Sequence, residues 1–281
     1  MSKIMRVEFG NNKNRECKNN GNPETERNRN TEIEILDSSW LQEVDREFYL
    51  HHGNWVAEHL LGKLLIHETE EGLTGGIIVE TEAYCGAIEK GSHAYQNKKT
   101  ERTAVQFGPG GYAYVYFIYG MYYCFNVVAG DVEVPDAVLI RALEPVKGLS
   151  IMENRRWKKA DDSQRENAKD WQREKIHEAK NRPDKSDKPL KSVKDLCNGP
   201  GKLCQAMAIT KEHNALDLCG HRLHITSGRE IQPEDIMVSP RINIDYAEEC
   251  IDYPWRYFVK DNKFVSKVAP RYRKMQRLLY R

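Results

Sequence analysis

The sequence predicts an α+β fold built on an antiparallel sheet. Strand-like runs cluster along the chain, helical patterns are few, and one segment reads as a β-hairpin around a glycine. The 281 residues suffice for one large domain or two small ones.

The first element is a helix over 54–62, where "NWVAEHLLG" offers Asn54 as N-cap, apolar residues at helical spacing and a glycine stop. Two strands follow, "KLLIHET" at 63–69 and "GGIIVETEAY" at 75–84, joined by a turn. Residues 111–128 form two β-rich runs around Tyr119, Gly120 and Met121, which predicts a hairpin. A further strand is expected at 136–145 and a loop-to-helix passage at 199–209. Late strands are expected at 223–228 and 256–267. Residues 1–36 are polar and nearly empty of aromatics, so they read as a disordered tail. The main domain is placed at 37–268, with a charged surface insertion at about 155–192 and a basic extension at 269–281.

The longest apolar runs are strand-sized, far short of the roughly 20 residues that cross a bilayer. The polar N-terminus carries no apolar signal region. Seven cysteines, none in a C-x-x-C pair, argue against a disulfide scaffold or a zinc ribbon. An intracellular setting is the expectation. The formal net charge is +1, but it is segregated: −8 over 37–152, +4 over 153–195, −4 over 196–255 and +8 over 256–281. A segregated basic face attracts phosphates even on a near-neutral chain, though a solvated charged tail has the same composition.

Chemistry-bearing residues concentrate in "IVETEAY". Strand alternation puts Ile78, Glu80, Glu82 and Tyr84 on one face. Two carboxylates on one face are unremarkable in water. Lining a pocket, one of them can act as a general base. His93 adds a second titratable group. Six tyrosines fall within 112–123, which suits a packed hairpin. Tyr119 and Met121, however, sit at the expected tip, where a bulky side chain suits intrusion into a base stack. Asn126 lies on the return strand. Arg141, within an apolar strand, is open to two readings: a phosphate-binding fork or a structural ion pair.

Taken together, "VETEAY", His93, "YVYFIYGMYYCFNV", "LIRALEP", "GPGKLCQAMAI" and "WRYFV", in this order, resemble the alkyladenine (3-methyladenine) DNA glycosylase family over about 38–268. The resemblance implies a single compact domain with a curved antiparallel sheet, surrounding helices and a protruding, DNA-intercalating hairpin. It implies no metal and no cofactor. The activity it implies is hydrolysis of the N-glycosidic bond of alkylated and deaminated purines in double-stranded DNA, by a monomer. Glu82 matches the general base, and Tyr84, His93 and Tyr116 match the residues that hold the flipped base. Tyr119 matches the wedge, with Met121 beside it, and Asn126 matches the residue credited with rejecting guanine. Arg141 matches an arginine beside the nucleophilic water, two extra residues of spacing making it the least direct of these matches. Glu80 is assigned no catalytic role. With no lysine placed as an amine nucleophile, a monofunctional enzyme is expected. The alternative is a non-catalytic DNA-damage-binding protein on the same fold.

Overall fold

The architecture is organised by one long strand, β2 (Gly72–Cys85). Strand β1 (Leu64–Thr69) pairs antiparallel with its first half, from Leu64 opposite Ile77 to Thr69 opposite Gly72. Strand β5 (Asp136–Lys147) runs along its other edge for nearly its full length. The hairpin strands β3 (Ala113–Ile118) and β4 (Tyr122–Ala129) extend the sheet beyond β5, and β6 (Leu223–Thr226) extends it beyond β1. The order is β3-β4-β5-β2-β1-β6. A branch is added where β8 (Arg256–Val259) pairs with Glu80–Glu82 and carries β7 (Ile236–Ser239) on its far side. Every pairing is antiparallel, and the sheet curls. Register shifts between Ile78 and Glu80 and between Glu80 and Thr81 bulge β2 against β5, which bends the strand beside its carboxylates.

The computed structural model describes residues 38–118, 120–158, 192–220 and 222–266. The expected tail at 1–36, most of the charged insertion, Tyr119 and the extension at 269–281 lie outside the described residues.

Among the described residues, four short α-helices accompany the sheet: α1 (Arg46–Tyr49), α2 (Gly53–His59), α3 (Leu149–Glu153) and α4 (Pro200–Ala206). Helix α2 corrects the expected cap. His52, not Asn54, occupies the N-cap position, and its Nδ1 accepts from the Asn54 N–H at 3.3 Å. The glycine stop is as expected. Gly62 has a φ of +83°, and a Cβ there would meet the Arg229 carbonyl oxygen at 2.2 Å. Helix α2 packs on β2 and β5, burying Val56, Ala57 and Leu60 with Leu64, Ile77 and Ile140 in the main core.

The last expected strand is half right. Residues 256–259 are strand, but the chain then turns, with Asp261 at φ +53° and the Asn262 Oδ1 accepting from the Phe264 N–H at 2.9 Å. This turn carries Ser266 back against β2. The strand β7 at 236–239 was not anticipated. Arg155 falls inside the boundary drawn for the insertion, yet it is buried. It donates to the Ala206 carbonyl at 3.0 Å and to the Thr69 Oγ1 at 2.7 Å, so the packed fold reaches past 155. Six described cysteines are free thiols. Among the described residues, no helix is long and apolar enough to cross a membrane.

Candidate active site

Glu80 and Glu82 are both fully buried, so the solvated reading of that face is wrong. Burying two carboxylates is costly unless they are paired and hydrogen-bonded. The pairing comes from three directions. From β5, Arg141 donates through Nε to Glu80 at 2.9 Å and through Nη1 to Glu82 at 3.2 Å. From β8, Arg256 donates through Nε to Glu80 at 2.8 Å. From the segment after β8, Ser266 gives its N–H at 2.7 Å and its hydroxyl at 2.8 Å, both to Glu80. Burial alone would raise the Glu80 pKa, but Arg256 and Arg141 outweigh it and hold the carboxyl at about 2. The Arg141 pKa is raised in turn, because Glu82 and Glu80 overcome its own desolvation.

Of the two readings of Arg141, the structure shows the ion pair. Its donors turn inward to Glu80, Glu82 and the Ser266 Oγ, and the side chain is buried. It is not placed as a phosphate fork.

Glu82 is held differently. Its Oε1 accepts from the Ile242 N–H at 2.7 Å, and its Oε2 accepts from the Tyr84 hydroxyl at 2.9 Å. Tyr84 opens onto a cleft that His93, Tyr116 and Asn126 also line, so four expected residues converge on one place. Glu82 itself does not line the cleft; Tyr84 connects it. The cavity volume of the cleft is about 30 Å³. Its walls include Tyr114, one of the clustered tyrosines, and Gln106, Ala137 and Tyr246, which were not anticipated.

The hairpin explains the convergence. Strand alternation puts Tyr114 and Tyr116 on one face of β3, and the register sets Tyr114 opposite Asn126. The Asn126 Nδ2 donates to the Tyr114 carbonyl at 2.9 Å, which fixes the buried amide. His93 stands edge-on to Tyr116, with ring centroids 4.7 Å apart. The His93 Nδ1 is 2.8 Å from the Tyr114 hydroxyl, and its Nε2 is 3.3 Å from Arg102. Burial and then Arg102 lower the His93 pKa to about 4, so the ring is neutral at pH 7. Burial raises the Tyr84 and Tyr116 phenols well above their usual range, so both stay protonated. Behind Tyr84, the Arg241 guanidinium lies 4.7 Å from the ring centroid and forms a buried fork with Glu89 at 2.7 and 2.8 Å.

At the other end of the hairpin, Phe117, Met121 and Tyr122 are exposed, Met121 by 65%. Gly120, at φ +64°, has nothing within 4 Å of a built Cβ. Tyr119, expected at this tip, lies outside the described residues.

Two further features are separate from this cleft. His52, Cys85 and Asp136 bring potential metal-ligand atoms within 4.8 Å of one another. Their bonds serve the fold: the Asp136 Oδ2 accepts from the Gly53 N–H at 2.9 Å, and burial keeps the Cys85 thiol protonated. A larger opening near His67, Glu212, His213 and Arg222 contains none of the expected residues.

Comparison with known proteins gives a consistent result. The family model described as methylpurine-DNA glycosylase matches residues 47–263. A Clostridium acetobutylicum protein is 45% identical over 221 residues, covering 79% of this chain and 96% of its own. An Alkaliphilus oremlandii protein is 45% identical over 225 residues, covering 80% and 99%. A Clostridium novyi protein is 43% identical over 227 residues, covering 81% and 100%. All three are provisionally named 3-methyladenine DNA glycosylases.

Proposed function

The chain belongs to the methylpurine-DNA glycosylase family, and on that premise we propose that it hydrolyses the N-glycosidic bond of alkylated or deaminated purines flipped out of double-stranded DNA. The purine's C1′ is inaccessible inside a duplex, so the nucleotide must first be extruded, at a cost of a few kcal/mol in lost stacking. Tyr119 and Met121 at the hairpin tip offset that cost by filling the gap; the exposed apolar side chains around Met121 support this reading. The flipped base enters the cleft among Tyr84, His93 and Tyr116, where stacking contributes about 1–3 kcal/mol. A neutral His93 lets a cationic alkylated base in without charge repulsion. Asn126, buried and pinned to the Tyr114 carbonyl, occupies space that a guanine 2-amino group would need.

In the chemical step, water attacks C1′, Glu82 takes the proton, and the base departs with the electrons of the broken bond. The carboxylate also stabilises positive charge developing on the sugar. Arg141 orients Glu82 through its Nη1 bond; it is a positioning residue. Among the described residues, no lysine lines the cleft, which supports a monofunctional reaction without a Schiff base, leaving an abasic site. The domain at 37–268 acts as a monomer on DNA inside the cell, with its basic C-terminal residues on phosphate.

The observation that carries this reading is Glu82, hydrogen-bonded to the tyrosine that walls the aromatic cleft. A protein that only binds damaged DNA has no use for a carboxylate there. The test is incubation with duplexes bearing hypoxanthine, 1,N6-ethenoadenine or 3-methyladenine, followed by alkaline cleavage. We expect strand breaks at the lesion only after alkali. Tight binding without abasic sites on any of these duplexes would establish the non-catalytic alternative instead.

A further inference from the structure

The cleft is too small for a purine as it stands. Its volume of about 30 Å³ gives room for about two waters, whereas pockets that hold a small molecule enclose about 300–1,000 Å³. A base enters only if a wall moves. Most of the walls are fixed. The Asn126 amide is pinned to the Tyr114 carbonyl, His93 is bonded to the Tyr114 hydroxyl, and Tyr84 is bonded to Glu82 with Arg241 behind its ring. Tyr246 differs. It is 61% exposed, while every other described residue that lines the cleft is buried or half-buried.

The backbone that carries Tyr246 is held in place. The Ile242 N–H donates to Glu82 at 2.7 Å. The Ala247 N–H donates to the Ile244 carbonyl at 2.8 Å, and the Cys250 N–H to the Ala247 carbonyl at 2.9 Å. Ile244, Ala247 and Cys250 are buried together, with Tyr84 packed against them. Lys90 ties this segment to the loop before His93 by donating to Glu248 and, at 2.9 Å, to Glu249. The side chain of Tyr246 is another matter. Its hydroxyl donates to the Gly91 carbonyl at 3.1 Å, and Gly91 also lines the cleft. The ring thus bridges two sides of the opening from a rigid base. Exposed side chains change rotamer within nanoseconds, so the ring can swing while the backbone stays.

Building on the glycosylase reading, we propose that Tyr246 is a further base-binding residue, whose ring swings outward to admit the flipped purine and closes over it, with the hydroxyl bond to the Gly91 carbonyl as the latch. The closed ring adds an aromatic wall to those of Tyr84, His93 and Tyr116. It acts on any purine that enters, whatever its 6-substituent.

The experiment follows the base in and out of the cleft. 1,N6-Ethenoadenine, whose fluorescence changes with stacking, is placed opposite a gap in a duplex so that unpairing does not limit its entry. Stopped-flow records give the entry and return rates for the wild type, Tyr246→Phe and Tyr246→Ala. Tyr246→Phe keeps the ring and loses the latch. Entry and return should each become about three- to tenfold faster, the worth of one hydrogen bond, with their ratio nearly unchanged. Tyr246→Ala loses the wall as well, so return should gain more than entry and the base should be held less. The phenylalanine variant carries the test if the alanine variant does not fold. A residue that serves only packing would leave entry unchanged or slow it in both variants, and either result overturns the proposal. A wild type that excises no damaged purine at all would instead sink the glycosylase reading on which this one rests.

Discussion

Glu80 and Glu82 share a strand, a face and an arginine, yet the regions around them differ. The Glu80 carboxylate accepts four hydrogen bonds, from Arg141, Arg256, the Ser266 hydroxyl and the Ser266 N–H. A carboxylate has about four lone-pair sites, so Glu80 is saturated. Glu82 accepts three, from Ile242, Tyr84 and Arg141, which leaves room for one further donor. The partners of Glu80 belong to the buried seam between β2, β8 and the chain after β8. One partner of Glu82 is a wall of the aromatic cleft. A carboxylate held at about 2 is a poor base, whatever its position. The pair therefore divides into an anchor that secures the bend of β2 and a group with spare capacity for water.

The largest effect should separate the two by activity and stability. Glu82→Gln keeps shape and most hydrogen bonds but removes the acceptor for the water proton. Single-turnover excision should fall by at least about a hundredfold, with lesion binding retained. Glu80→Gln leaves Arg256 and half of Arg141 buried without their counter-charge, which should destabilise the fold by about 3–5 kcal/mol. The division breaks down if Glu80→Gln, measured at a temperature where it is folded, loses excision as completely as Glu82→Gln does.

Acid sharpens the same comparison. Glu80 titrates at about 2 in the fold, below the ordinary glutamate value of 4.5. A depressed folded pKa means the ionised form stabilises the fold. That stabilisation is fully present above pH ~4.5 and is lost as pH falls toward ~2. It amounts to about 3 kcal/mol. Urea midpoints measured from pH 6 to pH 2.5 should therefore fall more steeply for the wild type than for Glu80→Gln. Parallel curves would remove Glu80 as the acid-sensitive anchor.

Much of the fold was legible because its signals are local. The strands at 63–69, 75–84 and 136–145 and the hairpin are written in β-rich runs and turn residues, and the cleft residues Tyr84, His93, Tyr116 and Asn126 were found from their motifs. The burial of Glu80 was not legible, because the residues that satisfy it lie 61, 176 and 186 positions away in sequence. Arg141 was ambiguous for the same reason: a buried arginine looks alike in sequence whether it faces a phosphate or a carboxylate. Tyr114 could have been found by alternation from Tyr116, and Gln106 by its place as a lone amide within the apolar turn "AVQF".

The smallest effect tests whether the two surroundings are independent. Ser266→Ala removes one hydroxyl, which donates to the Glu80 Oε1 at 2.8 Å and accepts weakly from the Arg141 Nη2 at 3.4 Å. The stronger main-chain bond from the Ser266 N–H to Oε2, at 2.7 Å, survives the substitution. Oε1 keeps both arginine contacts. The alanine methyl group fits where the serine Cβ already stands, so no clash or large cavity arises. The loss should therefore be about 1 kcal/mol of stability, read as a small shift in the urea midpoint. Excision by folded protein should not change, because none of the three bonds to Glu82 involves Ser266. Arg141 is the only described side chain that bonds to both carboxylates, and its link to Glu82 runs through Nη1 rather than the Nη2 that Ser266 touches. A tenfold drop in single-turnover rate at unchanged stability would mean that Arg141 transmits Ser266 to Glu82. Anchor and base would then be one network, to be assigned together.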